Sequence, residues 1–135
     1  MSPFFSVIIP TYNQDRFLSK CLDALEKQTF NDFETIIIDN FSKDNTEKIS
    51  QSFKKNKIYK KVNNHGVIAK SRNIGMELSK GKWVAFLDTD DSWTKNKLEE
   101  VYNEIKKSDF DVFCNSEWII NEKKKIKRIM DIWVL

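Results

Sequence analysis

The chain has 135 residues, 40% hydrophobic and 32% charged, a size and balance that fit one compact domain able to bury a core. Its formal net charge of +3 is a small excess with 20 acidic residues interspersed, which excludes the uniform positive field of a dedicated nucleic-acid binder. Cys21 and Cys114 show neither Cys-x-x-Cys spacing nor a cluster with the single histidine, so a zinc site or disulfide framework is not expected. Two buried free thiols in a reducing cytosol are expected instead. The start, Met1-Ser2-Pro3-Phe4-Phe5, lacks the basic and long apolar regions of a secretory signal. No run approaches the roughly 18 apolar residues of a membrane span, so the expected setting is soluble and cytoplasmic.

Phe5–Pro10 reads as a short buried strand. Asn13 can cap the helix that follows, whose Phe17, Leu18, Cys21, Leu22 and Leu25 share one face. Phe33–Ile38 is a second strand. A loop through Ser42 leads to a helix from Asn45 to Phe53, with Asp44 and Glu47 at capping-box spacing. Ile58–Val62 is a third strand, Ala69–Leu78 a helix, and Lys82–Leu87 a fourth strand. A helix over Lys95–Ile105 then carries Leu98, Val101, Tyr102 and Ile105 on one face. This alternation predicts an α/β fold with a mostly parallel sheet and helices on both faces. The pattern then changes to two strands, Asp111–Ile120 with Cys114 and Ile126–Leu135, joined as a hairpin through Asn121–Lys125.

The apolar end, Met130-Asp131-Ile132-Trp133-Val134-Leu135, leaves a strand edge and a tryptophan needing cover. Truncation of a longer chain is the favoured explanation. A homodimer paired through this C-terminal strand is the other. The basic run Lys123-Lys124-Lys125 with Lys127 and Arg128 reads as a solvated hairpin tip, with peripheral contact to an anionic membrane surface as a second reading.

In a parallel sheet the loops after Pro10, Ile38, Val62 and Leu87 open on one edge, where ligands sit in open α/β folds. Thr11, Tyr12, Asn13, Asp39, Arg72 and Asp88–Asp91 can therefore converge. The run Trp83-Val84-Ala85-Phe86-Leu87 ends in Asp88-Thr89-Asp90-Asp91, and acids at this spacing suit a hard divalent cation such as Mg²⁺ or Mn²⁺. Such a cation takes one or two carboxylates together with substrate phosphates. Arg72 offers a charged fork for phosphate or for the acids. Plainer readings stay open at each position. The acids can be a solvated turn, Ser92 or Thr94 a helix cap, Asp39 an acceptor for its own loop, Arg72 a surface ion pair, and His65 a turn residue without a role.

Four motifs in order carry a resemblance. They are Phe5-Ser6-Val7-Ile8-Ile9-Pro10-Thr11-Tyr12-Asn13, then Ile37-Ile38-Asp39-Asn40-Phe41-Ser42-Lys43-Asp44-Asn45-Thr46, then Asn64-His65-Gly66 with Ser71-Arg72-Asn73-Ile74-Gly75, and finally Phe86-Leu87-Asp88-Thr89-Asp90-Asp91-Ser92-Trp93. Together they resemble family 2 glycosyltransferases. The resemblance implies a Rossmann-like GT-A fold and inverting, metal-dependent transfer from a nucleotide-sugar, with UDP-sugar the expected donor. A glycan or lipid-linked acceptor is implied, in polysaccharide or other glycan synthesis, with the protein cytoplasmic or at the inner face of the membrane. By position it puts Pro10, Thr11 and Tyr12 along the nucleotide, Asp39 on base or ribose, and Arg72 near the pyrophosphate or the acidic loop. Asp88 and Asp90, flanking Thr89, become the D-x-D pair, with Asp90 the direct ligand of Mn²⁺ or Mg²⁺ and Asp88 towards the ribose or a metal-bound water. Asp91 could replace either.

The chain also departs from the family pattern. Asn40 and Phe41 stand where the family usually has Asp-Gly, and the proline common shortly after the tryptophan is replaced by Lys95 or its neighbours. The resemblance covers residues 1–135 only as the donor-binding front of the domain. The acceptor half and the family's general base are expected beyond it, and Glu117 is assigned no role. A binding module without transfer is the alternative. A nucleotidyltransferase is disfavoured because Thr11–Arg16 contains no glycine, and dehydrogenase or P-loop readings lack their glycine motifs.

Overall fold

Phe5–Thr11 (β1) and Phe33–Asp39 (β2) are buried at every position, as strands covered on both faces must be. The computed structural model describes residues 1–107, 109, 111–114, 117–121 and 126–130, the last two stretches by backbone alone. Four strands form an all-parallel sheet in the order β3-β2-β1-β4, with β3 at Lys57–Lys61 and β4 at Trp83–Phe86. The helices are α1 (Asp15–Glu26), α2 (Thr46–Ser52), α3 (Ile68–Leu78) and α4 (Lys97–Lys107). The predicted order of elements holds throughout. Lys82 and Leu87, read as strand ends, lie just outside β4 yet still donate to the Pro3 and Ile8 carbonyls at 3.2 and 3.0 Å.

Ile8, Ile36 and Ile38 lie side by side on one sheet face, and Ile74 and Leu78 of α3 pack on them with Ile58 and Val62. Gly75 lets α3 sit this close, since a Cβ there would stand 2.4 Å from a methyl of Ile8. With the right-handed crossovers that parallel sheets adopt, this strand order assigns α1 and α2 to the opposite face, and Leu18, Cys21, Leu22 and Leu25 are the buried stripe of α1.

Several local expectations are corrected. Asn13 does not cap α1. It takes φ 50°, and Gln14 stands at the N-cap without a side-chain hydrogen bond. Phe17, read into the apolar face, is half exposed. The capping box of α2 is not made. Asp44 accepts from the Thr46 amide at 3.0 Å, while Glu47 turns to Lys61 at 2.6 Å. Cys114 is exposed and precedes the hairpin strand, which begins at Glu117 rather than Asp111.

The chain divides into two compact units, Met1–Glu99 and Glu100–Leu135. In the first, the start of α4 is anchored where the Gln28 side chain accepts from the Leu98 amide at 3.1 Å and donates to the Thr94 carbonyl at 2.8 Å. The second contains the antiparallel pair β5 (Glu117–Asn121) and β6 (Ile126–Met130), in register from Glu117↔Met130 to Asn121↔Ile126, as the hairpin expectation required. The hairpin tip at 122–125 and the apolar end at 131–135, on which membrane and dimer contacts were expected, lie outside the described residues. Among the described residues no helix is long and apolar enough to cross a membrane.

Candidate functional site

The C-terminal ends of the strands form a crest built from four loops. Thr11 and Asp39 end β1 and β2 as paired residues, the Val62 amide donates to the Asp39 carbonyl, and the chain after β4 carries Asp88–Asp91. Asparagines stitch the loops together. The Asn40 amide donates to the Thr11 carbonyl at 3.0 Å, and the Asn40 side-chain oxygen accepts from the Asn64 amide at 3.0 Å. Asn13 accepts from the Lys43 amide at 2.8 Å, and its own amide donates to Ser42 Oγ at 2.8 Å.

Asp39 is fully buried beneath this crest. Its Oδ1 accepts from the Ser42 amide (2.9 Å) and hydroxyl (2.5 Å), and its Oδ2 from the Tyr59 hydroxyl (2.5 Å). The plainer reading, an acceptor for its own loop, is therefore realised, and a phenol from β3 is added. Burial first, and then the hydrogen bond to Asp39, hold the Tyr59 phenol well above its ordinary range, so it serves as a proton donor. Sequence reasoning missed Tyr59. The available signal was its place in β3 opposite Ile37, two residues from the Asp39 pair and within diagonal reach. Beside Asp39, the buried Thr11 hydroxyl has no hydrogen-bond partner among the described residues.

Arg72, near the start of α3, places one terminal nitrogen 2.7 and 3.0 Å from the two Asp88 oxygens, and its guanidinium lies 5.9 Å from the centre of the Phe86 ring. Of the two positions expected for this arginine, the structure shows the acidic loop. Both side chains remain about one-third exposed, and the arginine Nε has no hydrogen-bond partner among the described residues. Thr89 is buried, its hydroxyl donating to the Pro10 carbonyl at 2.7 Å, which ties the acidic loop to β1. Tyr12 and Asp90 are exposed. Pro10, Thr11, Asp39, Arg72, Asp88 and Thr89 are thus joined on one edge through hydrogen bonds and strand register, with Tyr12 and Asp90 projecting beside them. His65, at φ 55°, is exposed in its turn.

Among the described residues no group of three or more potential ligands is preassembled for a metal. The oxygen donors of Asp88 and Asp90 nonetheless fit Mg²⁺ or Mn²⁺, which need only one or two carboxylates when phosphates and water complete the shell. The acidic loop is felt within the fold as well. Burial, and then the charges of Asp91, Asp88 and Asp90, push the Cys21 thiol up to about 12. A cleft of about 450 Å³ lies between α1 and α2, lined by Asp15, Arg16, Ser19, Asn45, Lys48, Ile49 and Ser52, and neither Asp39 nor Asp88 lines it. Asp90 is exposed and Asp88 partly exposed, while Asp39 is buried.

Phe41 lies between Asn40 and Ser42 at φ 55°, the left-handed region, where a bulky residue costs on the order of 1 kcal/mol. This is the position where the family pattern noted above has glycine.

Known proteins share the sequence pattern and the fold of this chain. A family profile for "Glycosyl transferase family 2" matches residues 6–133. The glycosyltransferase GlyG of Streptococcus pneumoniae is 30% identical over 125 residues, covering 90% of this chain and 42% of that protein. TarS of Staphylococcus aureus, a poly(ribitol-phosphate) beta-N-acetylglucosaminyltransferase, is 36% identical over 102 residues, 71% of this chain and 18% of TarS. The crystal structure of TarS 1–349 in complex with UDP-GlcNAc matches with a TM-score of 0.73 at 33% identity, covering 79% of this chain and 32% of that one. The mannosyltransferase PcManGT of Pyrobaculum calidifontis, solved with GDP-Man and Mn²⁺, shares the fold at a TM-score of 0.66 and 22% identity, over 73% of this chain and 31% of that one. The chain thus spans less than half the length of these relatives. With the four-loop crest on a GT-A sheet and a profile match over nearly every residue, the chain belongs to glycosyl transferase family 2.

Proposed function

We propose that this chain forms the donor-binding portion of a metal-dependent, inverting glycosyltransferase that takes its sugar from a UDP-sugar. The observation that carries this reading is the pairing, in register, of buried Asp39 with the unpartnered Thr11 hydroxyl, on the same edge as the Arg72–Asp88 pair. Pro10, Thr11 and Tyr12 run along the nucleotide and Asp39 meets base or ribose. Arg72 has a spare Nε–H for the diphosphate, and Asp88 faces the ribose or a metal-bound water. Asp90 holds Mn²⁺ or Mg²⁺. When bound, the divalent ion neutralises charge on the leaving diphosphate. TarS with UDP-GlcNAc and PcManGT with GDP-Man and Mn²⁺ support the donor class and the metal. The acceptor is a glycan or a lipid-linked sugar, met in the cytoplasm or at the inner membrane face. The general base and the acceptor contacts are assigned to no residue of this chain.

Calorimetric titration of UDP, with Mn²⁺ and again with EDTA, tests the reading. Metal-dependent binding is expected. Asp90→Ala should abolish the metal-dependent part while changing stability by less than about 0.5 kcal/mol, because Asp90 is exposed. Full donor binding by Asp90→Ala in Mn²⁺ would overturn the metal assignment. A second reading is a module that binds donor without transferring. UDP-sugar binding without transfer to any acceptor would select it.

A further inference from the structure

Phe41 combines three properties that the donor reading leaves unused. It is left-handed at φ 55°, the residue is 54% exposed, and both neighbours in the chain are clamped. Asn40 donates to the Thr11 carbonyl and accepts from the Asn64 amide. Ser42 donates twice to Asp39 and accepts from the Asn13 amide. With both neighbours fixed, the reversal of the chain falls on position 41, where glycine fits without steric cost. A phenyl ring there weakens the turn and leaves about half of itself in water, so burial gives little reason for it.

The same clamps place residue 41 in the crest. Asn40 bonds to Thr11 and Ser42 to Asn13, so Phe41 stands beside the loop that carries Tyr12, itself 53% exposed. Two exposed aromatic residues thus occupy adjacent loops of one crest, with Asp39 and the unpartnered Thr11 hydroxyl at the foot of their loops. Flat, sequence-tolerant stacking on aromatic rings is how proteins hold a base that is not paired.

We propose that Phe41 is a binding residue for the nucleobase of the donor, forming with Tyr12 a two-ring clasp above Asp39, and that its strained backbone is tolerated for that contact. The inference rests on the donor reading and extends it to a residue outside the family pattern.

The test is calorimetry of UDP and of inorganic pyrophosphate with the unaltered chain, Phe41→Gly, Phe41→Leu and Phe41→Tyr, together with thermal melts. Phe41→Gly should weaken UDP about tenfold while raising Tm, since strain is relieved as the ring is lost. Phe41→Leu keeps the strain and removes the ring, and should weaken UDP similarly without the gain in Tm. Phe41→Tyr should bind UDP within about twofold of the unaltered chain, and none of the three should change pyrophosphate affinity. UDP binding by Phe41→Gly and Phe41→Leu as tight as in the unaltered chain would overturn this inference alone. No nucleotide binding by the unaltered chain would overturn the donor reading, and this inference with it.

Discussion

Two buried carboxylates sit at opposite ends of β2 and are used in opposite ways. Glu34, near the N-terminal end, accepts from the Ser6 hydroxyl at 2.6 Å and the Lys80 amide at 2.7 Å, and the Gly81 amide donates to the same hydroxyl at 2.8 Å. A Cβ on Gly81 would lie 2.5 Å from the Ser6 amide nitrogen, so backbone seals the cluster. Asp39, five residues on, is as buried, but around it stand an unpartnered hydroxyl at Thr11 and exposed side chains at Tyr12 and Phe41. A closed polar cluster holds the α3–β4 turn against the sheet. An open one keeps hydrogen-bonding capacity for something not yet bound.

The largest test of this contrast is at the closed end. Gly81→Ala should cost about 3 kcal/mol, read as a fall in Tm, with UDP affinity per folded molecule unchanged. A weakened UDP response at full stability would erase the distinction between the two ends. At the open end, Tyr59→Phe removes one donor from Asp39 and should cost about 1 kcal/mol in a denaturant titration while shifting UDP affinity. A change in stability alone would make Tyr59 a purely structural partner.

The smallest electrostatic effect belongs to Asp44, on the rim of the crest. Burial alone would raise its pKa, but hydrogen bonds from Thr46 and Asp15 outweigh that and hold it below the ordinary 3.8. A depressed carboxyl stabilises the fold above that value and loses its contribution as pH falls below it. Asp44→Asn should therefore flatten the acid limb of a stability-against-pH curve by under about 0.5 kcal/mol, since the group is exposed. The thiols offer a check without mutation. In native protein at pH 8 a chromogenic disulfide should titrate Cys114 rapidly and reach Cys21 only after denaturation. Rapid reaction at both would mean that α1 opens readily.

The sheet was legible because its strands are apolar runs of the right length, and the convergence of Thr11, Asp39 and Asp88–Asp91 follows from parallel connectivity alone. Helix starts were less legible. Asn13 has the composition of a cap, yet a tertiary pairing with Lys43 and Ser42 claims its side chain and its amide. Glu47 was likewise drawn from its capping box by Lys61, an edge-strand residue distant in sequence. Tyr59 was missed because its contact with Asp39 depends on register across strands, which periodicity along one segment does not encode, while at Phe41 the glycine of the family pattern already hinted at a left-handed backbone.

Pro10 bears on how the acidic loop comes to exist. The backbone groups of even-numbered residues in β1 face β4, since the carbonyls of Phe4, just before the strand, and Ile8 accept from the Trp83 and Leu87 amides. The next amide on that side would be Pro10's, and proline has none to give. The zip between β1 and β4 therefore halts after Leu87, and the Pro10 carbonyl is met by the hydroxyl of Thr89. One imide nitrogen thus acts as a stitch-stop. It obliges the chain to peel away from the sheet as it reaches Asp88, so the parting of two strands is already written into the first of them.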